Sequence, residues 1–396
     1  MRDTLTASLG TPARGHARPG RRHVMDFAEV PKAAWHALTA RSLGANAFYN
    51  PDWACAAARH ARNHAGGRVL LAWDRADPER LLGLLPVASA WDSLKLPLPL
   101  LVAWHGYAPL ATPLLDRERG VEAAAGLMDA ARAFGARGLL LSPTDIESAA
   151  TQAFVNAASV HGGRTRILHR HARAMLDCRQ DADAVLRTAL GPKKLKELRR
   201  QRNRLEDGGA VTFEMISDPQ RIPAALEAFL QLEASGWKAK RGTALAQHDG
   251  DLRFIREAVP SLAAQGLCDI AMLSCAGRPV AAGIVLRQGR RAFFFKIGSD
   301  PDAARISPGV QLTVDLTRNL CADPDIDDVD STADANHPMI DRLWPGRLAM
   351  GDVLVPLGAD GPVLRICEHA LRKRRRMRAA ARTVANRIRT LRERLS

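Results

Sequence analysis

The residues of this 396-residue chain that could do chemistry gather in its second half. In Arg305-Ile306-Ser307-Pro308-Gly309-Val310, Ser307 is placed to cap a helix and Pro308 suits a first helical position, where no N–H is needed. Gly309 leaves the backbone open to a close ligand. Free N–H groups, a helix dipole and Arg305 would together favour an anion. Just upstream, Lys296 stands inside the aromatic run Phe293–Ile297, where an ammonium costs desolvation unless an anion or a carboxylate meets it. His337 precedes Pro338 in a loop, and imidazole titrates near neutrality, which suits proton transfer. Glu233, Asp300 and Asp330 stand beside it as carboxylate candidates for proton transfer. An anion seat, a cation and proton-handling groups are what a group transfer from a phosphate-bearing donor requires.

The elements that must hold these residues follow from periodicity. The pattern predicts a strand at about 210–216, helices at about 221–236 and 251–265, and strands at about 267–275, 279–287 and 290–297. A helix at about 308–320 and a strand at about 326–332 follow. Gly208-Gly209, Gly266, Gly277-Arg278-Pro279 and Gln288-Gly289 punctuate them. The first half alternates similarly, with helices at about 51–64, 121–134 and 147–159 and strands at about 68–73, 81–90, 138–142 and 166–169. The chain is long for one core, so two domains are expected, at 26–180 and 181–362, between a disordered basic arm (1–25) and a basic amphipathic helix (363–396).

The order βααβββαβ, together with a set of segments, resembles the CelD/BcsL-like branch of the GNAT acyltransferases, a family associated with cellulose and exopolysaccharide biosynthesis. The segments are Phe48-Tyr49-Asn50-Pro51-Asp52-Trp53, Trp104-His105-Gly106-Tyr107-Ala108-Pro109-Leu110, Lys194-Leu195-Lys196-Glu197-Leu198-Arg199-Arg200, Leu232-Glu233-Ala234-Ser235-Gly236-Trp237-Lys238, Gly277-Arg278-Pro279 and Ser307-Pro308-Gly309. The resemblance covers roughly residues 26–355. Where family members often carry a glycine and a Tyr-Lys pair after the fifth strand, this chain reads Asp330-Ser331-Thr332-Ala333-Asp334-Ala335-Asn336-His337. The resemblance implies an α/β (α+β) fold of tandem GNAT-like domains, mixed sheets flanked by helices, the first domain a degenerate copy as in the related FemABX-like transferases.

It also implies an acyl-CoA-dependent N-acyltransferase, using acetyl-CoA or another acyl-CoA and acting on a small amine or amino sugar in envelope or polysaccharide metabolism. Phe295, Lys296 and Ile297 would neighbour the thioester, and Arg305, Ser307, Gly309 and Val310 would hold the pyrophosphate. Glu233 is the first candidate for general base, with His337 and Asp330 as alternatives. Relatives often protonate the departing thiolate with a tyrosine, and Tyr107 could reach across from the first domain for that role. Trp237, Lys238 and Trp344 fall to the acceptor side, with core packing as the competing reading of the tryptophans. Two other functions stand beside this one: a FemABX-like aminoacyl-tRNA-dependent transferase, and a non-catalytic scaffold on a membrane or nucleic acid.

Charge is concentrated at the ends. Residues 1–22 contribute +4 and residues 365–396 contribute +10 of a net +15, so the body is near neutral. In the C-terminal helix Met377, Val384, Ile388, Leu391 and Leu395 recur at helical spacing among arginines. Packing on the body, attachment to an anionic membrane surface and nucleic-acid binding are its three readings. A second basic run, Arg187 to Arg204, carries eight Lys/Arg against Glu197. The six cysteines form no CxxC pair and His161, His169 and His171 have no carboxylate beside them in sequence, so no metal is expected. Reduced thiols and the lack of a long apolar run lead to an expected cytoplasmic location, peripheral to the inner membrane if the terminal helix attaches. The oligomeric state is not legible.

Overall fold

The computed structural model describes residues 22–62, 67–236 and 242–395, the last stretch from 382 by its backbone alone. Most of the expected disordered arm, and the expected acceptor-side residues Trp237 and Lys238, lie outside the described residues. Of that arm, Val24–Met25 forms a short strand paired with Val69 and Leu70.

The first half runs β1 (Val24–Met25), α1 (Lys32–Ala40), α2 (Pro51–His60), β2 (Arg68–Trp73), β3 (Leu81–Ser89), α3 (Ala90–Leu94), β4 (Leu100–Ala103), β5 (Leu114–Leu115), α4 (Gly120–Ala133), β6 (Gly138–Asp145), α5 (Ala149–Val160) and β7 (Arg166–Asp177). After α6 (Ala182–Glu206) the second half runs β8 (Val211–Ile216), α7 (Ile222–Ser235), α8 (Asp249–Ala263), β9 (Cys268–Cys275), β10 (Arg278–Gln288), β11 (Arg291–Ser299), α9 (Pro308–Cys321), β12 (Asp328–Asp330), β13 (Gly346–Pro356) and α10 (Pro362–Leu395). Without α3 and β5, the series β1 to β6 repeats element for element as β8 to β12.

All thirteen strands form one sheet, in the order β1-β2-β3-β4-β6-β13-β7-β12-β11-β10-β9-β8, with β5 beside β3. Each half contains one parallel pair, β4 with β6 and β11 with β12, each joined through a helix as parallel strands require. The seam is an exchange: β13 pairs with β6 of the first half, and β7 pairs with β12 of the second and with β13. A cut near residue 180 therefore parts β7 from both its partners.

The halves also share a core. Phe48 packs edge-on against Phe293, with ring centroids 5.4 Å apart, and Trp53 against Phe254 and Phe295 at 4.9 and 4.8 Å. Phe48 and Trp53 are fully buried, each contributing on the order of 2–3 kcal/mol of transfer free energy. Helix α6 is two helices joined at Gly191, whose φ of +70° breaks the first and lets Pro192 begin the second.

Candidate active site

The site starts where two strands part. β11 and β12 pair in parallel only from Arg291/Asp328 to Phe293/Asp330. Beyond that pair, residues 294–299 form one wall of a cleft of about 880 Å³ and residues 331–340 the other, with Leu232 and Glu233 of α7 at its floor and Gly309 at its end. A bulge centred on Phe295 interrupts the β10–β11 ladder, since Ile284 faces Lys296 while Val285 faces Phe294. Gly298 brings the sheet onto α7; a Cβ there would come within 2.7 Å of the Glu233 nitrogen. In the first half the matching gap beyond the β4–β6 ladder is occupied, because the loop after β4 is tied across it by Ala111 N–H to Pro143 O (2.7 Å) and Thr112 to Thr144 (3.2 Å).

Phe295, Lys296 and Ile297, at the bulge and just beyond it, line the cleft. The Lys296 ammonium bonds Glu233 Oε1 at 3.2 Å, and Glu233 Oε2 accepts the Leu245 N–H at 2.9 Å. Glu233 is buried, whereas the Lys296 side chain keeps 19% exposure. The expected general base is thus an engaged carboxylate that holds a lysine at the cleft wall. Asp330 closes the strand pair, but it is fully buried and ion-paired with Arg173, while its Oδ1 accepts the Thr332 N–H at 2.9 Å. Arg173 in turn donates to Pro109 O at 2.7 Å, so this pair locks the halves together.

His337 lines the cleft, and its Nδ1 faces the N–H groups of Met339 and Ile340, both at 3.4 Å. Asp334, on the same wall, is exposed. Trp344, expected at the acceptor side, is fully buried: its Nε1 donates to Thr317 Oγ1 at 2.9 Å and its ring packs 5.9 Å from Phe294, because the chain after 340 turns into the sheet to begin β13.

Tyr107 does reach across from the first half, stacking on Phe254 at 5.1 Å and meeting Phe295 edge-on at 6.5 Å. Its hydroxyl, however, donates to Asp251 Oδ2 at 2.6 Å. Burial first, and then the Asp251 carboxylate, push the phenol well above its usual range, so it keeps its proton. Asp251, which sequence reading passed over, is fully buried and also accepts from the Arg62 backbone N–H (3.0 Å) and side chain (2.7 Å). Its signal was there: it continues the apolar spacing of Phe254, Ile255, Ala258 and Val259 on α8, a face where a carboxylate needs partners.

The turn into α9 differs from a capped start. Ser307 has φ +52° and makes no side-chain cap; its carbonyl accepts the N–H groups of Val310 and Gln311 at 2.9 and 3.1 Å. The Gly309 N–H has no acceptor among the described residues, and Gly309 lines the cleft with Ile297 Cδ1 3.4 Å from where its Cβ would be. Arg305 is exposed in the short helical turn Ala304–Ile306, and half-buried Val310 packs inward. Helix α6 lies against α9, with Gln311 bonding Leu198 O at 2.9 Å and Arg202 paired with Asp315 at 2.8 Å. That contact brings the second basic run beside the turn. A sequence pattern also missed Thr332, a β-branched residue at φ +51° whose hydroxyl donates to Phe294 O at 2.8 Å and so ties the two walls where they part. Among the described residues no group of three or more His, Cys, Asp or Glu is arranged to hold a metal ion.

Comparison with known proteins agrees with this geometry. Residues 192–337 match the family model of the acetyltransferase (GNAT) domain, which makes this stretch a GNAT acetyltransferase domain. No curated protein sequence matches the chain. Among solved structures, a C-terminal domain assigned to a lysylphosphatidylglycerol synthetase from Agrobacterium fabrum is 15% identical with a TM-score of 0.54, covering 87% of this chain and 97% of that one. FemX is 10% identical with a TM-score of 0.52, over 85% of this chain and 96% of its own. A protein of unknown function from Bacteroides thetaiotaomicron is 13% identical with a TM-score of 0.52, over 84% and 98%. At these identities the likeness is one of fold, and it extends over both halves of the chain.

Proposed function

We propose that the cleft between β11 and β12 binds an acyl-CoA thioester and passes the acyl group to the amine of a small molecule or amino sugar. The observation that carries the reading is the early end of the β11–β12 ladder at Phe293/Asp330, which leaves the cleft beside the bulge and ends it on the N-terminus of α9. The pantetheine arm would run along residues 294–299. The pyrophosphate would meet Gly309 N–H and Arg305, where backbone donors and the helix dipole favour negative charge. Lys296, held by Glu233, would place a cation near the oxyanion that forms as the amine attacks the thioester carbon.

On the opposite wall Asp334 is the exposed carboxylate that would draw in an ammonium and take its proton. With Nδ1 facing two N–H groups, a neutral His337 carries its proton on Nε2, which suits a hydrogen-bond donor to the departing thiolate better than a base. Collapse of the tetrahedral adduct would then break the C–S bond and release the amide and the coenzyme thiol. The CelD/BcsL-like segments support an acceptor from envelope or polysaccharide metabolism, met from the cytoplasmic side.

A second reading, transfer from an aminoacyl-tRNA, has one observation in its favour. Lys193, Lys196, Arg199, Arg200 and Arg204 are exposed along α6, with no carboxylate partner among the described residues. Calorimetric titration with acetyl-CoA and longer acyl-CoAs, alongside Gly309→Glu, tests the first reading. Saturable binding that is lost in a folded Gly309→Glu variant is expected. An absence of binding to every thioester, with retention of tRNA on a filter, would replace the first reading by the second.

A further inference from the structure

The C-terminal helix leaves the body carrying exposed charges and apolar residues that have no partner among the described residues. Leu364, Cys367 and Leu371 anchor its first turns against Leu100, Val102, Leu140 and Leu354. Arg374 then donates to Leu94 O at 3.1 Å, and Arg375 pairs with Asp352 at 2.8 Å. From Arg375 to Ala381 every residue is exposed. Lys373, Arg376 and Arg378 have no partner among the described residues, and Met377 stands between them at 63% exposure. Val363 and Ile366 are likewise exposed, and in the sequence Val384, Ile388, Leu391 and Leu395 continue the spacing from Met377, with Arg382, Arg387, Arg389, Arg392 and Arg394 among them.

We infer that α10 docks this protein on an anionic lipid surface. A helix whose sequence carries an apolar stripe among arginines, with Met377 exposed between Arg376 and Arg378, meets both requirements of such a surface, a shallow apolar layer and negative headgroups. A second copy of the chain fits it poorly, since the positions flanking the stripe are occupied by Arg378, Arg387, Arg392 and Arg394, and pairing two such helices would set like charges together.

Asp352, which holds Arg375, pairs in register with His169 of β7, so the helix leaves the body at the β7–β13 pair. The docking does not rest on the acyl-transfer reading.

The test is co-sedimentation of the full chain with vesicles of phosphatidylcholine alone and of phosphatidylcholine with about a third phosphatidylglycerol, at low and high salt. Retention on the anionic vesicles only, weakening with salt, is expected. Reversing two charges in Arg376→Glu/Arg378→Glu should lower partitioning on the order of tenfold or more. Met377→Gln should weaken it without changing the salt dependence. Circular dichroism and acetyl-CoA titration of the same variants should match the parent. Equal binding to neutral vesicles, no binding to either, or partitioning untouched by the charge reversals would overturn the proposal, as would a dimer in light scattering that α10 substitutions dissociate. If vesicle binding holds while no thioester binds, the cleft reading fails and the docking stands.

Discussion

Lys296 and Glu233 pair at 3.2 Å across the boundary between buried core and cleft, the carboxylate buried on α7 and the ammonium reaching the cleft wall. The geometry is unequal, and so are the costs of breaking it. Lys296→Met removes the ammonium from a buried carboxylate that keeps the Leu245 N–H, which should cost about 3 kcal/mol of stability. Glu233→Gln keeps an acceptor for that N–H and leaves a lysine that water can reach, so about 1–2 kcal/mol is expected. Urea unfolding of the two single variants and the double variant checks this order. A double variant no worse than Lys296→Met alone would confirm that the pair acts as a unit.

Asp116 offers a pH test at a distance from the cleft. Burial would raise this carboxyl, but the bonds from Arg41 (2.8 Å), Arg80 (2.9 Å) and the Glu118 N–H (3.0 Å) outweigh it and hold it at about 2. A folded value below the unfolded 3.8 means that the contribution is complete above that value and is lost as pH falls through about 2. Allowing for screening of the part-exposed arginines, about 1–2 kcal/mol is at stake. Asp116→Asn should be the less stable protein above pH 4, and the gap should close toward pH 2 in acid titrations followed by fluorescence.

How much of this could be read from sequence divides along a physical line. The spans expected from local pattern in the second half fall within a few residues of β8 to β12 and their helices, because apolar period, Gly punctuation and strand length are properties of short windows. β13 was missed although Val353, Leu354 and Val355 are buried there, since what makes Gly346–Pro356 a strand is pairing with β6 and β7, both about two hundred residues away. The same limit applied to the site. Aromatic composition marked Phe295 and Lys296, and Ser-Pro-Gly marked the turn. That Asp330 would spend its charge on Arg173, or Tyr107 its hydroxyl on Asp251, depends on tertiary neighbours that no spacing encodes. Ser307 failed as a cap for a local reason: its αL backbone presents the carbonyl, not the hydroxyl, to the helix N–H groups.

Trp344 separates a core residue from a ligand platform. Its ring is fully buried against Phe294, and its indole N–H donates to Thr317 Oγ1. Trp344→Phe should lose that hydrogen bond and leave a small void, costing about 1–3 kcal/mol in thermal or urea unfolding. Turnover per folded molecule, and KM for any acceptor, should stay within about twofold of the parent, because the residue touches no substrate. A raised KM at unchanged stability would return Trp344 to the acceptor side.

Tyr107 lies near enough to Lys296, with the ammonium 6.0 Å from its ring centroid, to be mistaken for the missing acid. The hydroxyl is committed to Asp251, and its raised pKa reflects that commitment together with burial. Tyr107→Phe keeps the stack on Phe254 and the edge contact with Phe295 and removes only the donor. Asp251 retains both bonds from Arg62, so the stability loss should be about 1 kcal/mol. If the phenol protonated the thiolate, kcat would instead fall on the order of a hundredfold or more, with little change in acyl-CoA affinity. Single-turnover rates of Tyr107→Phe with a saturating acyl-CoA distinguish the outcomes: an undiminished chemical step makes Tyr107 the post on which the first half leans against the bulge of β11, and the first half then serves the reaction through shape alone.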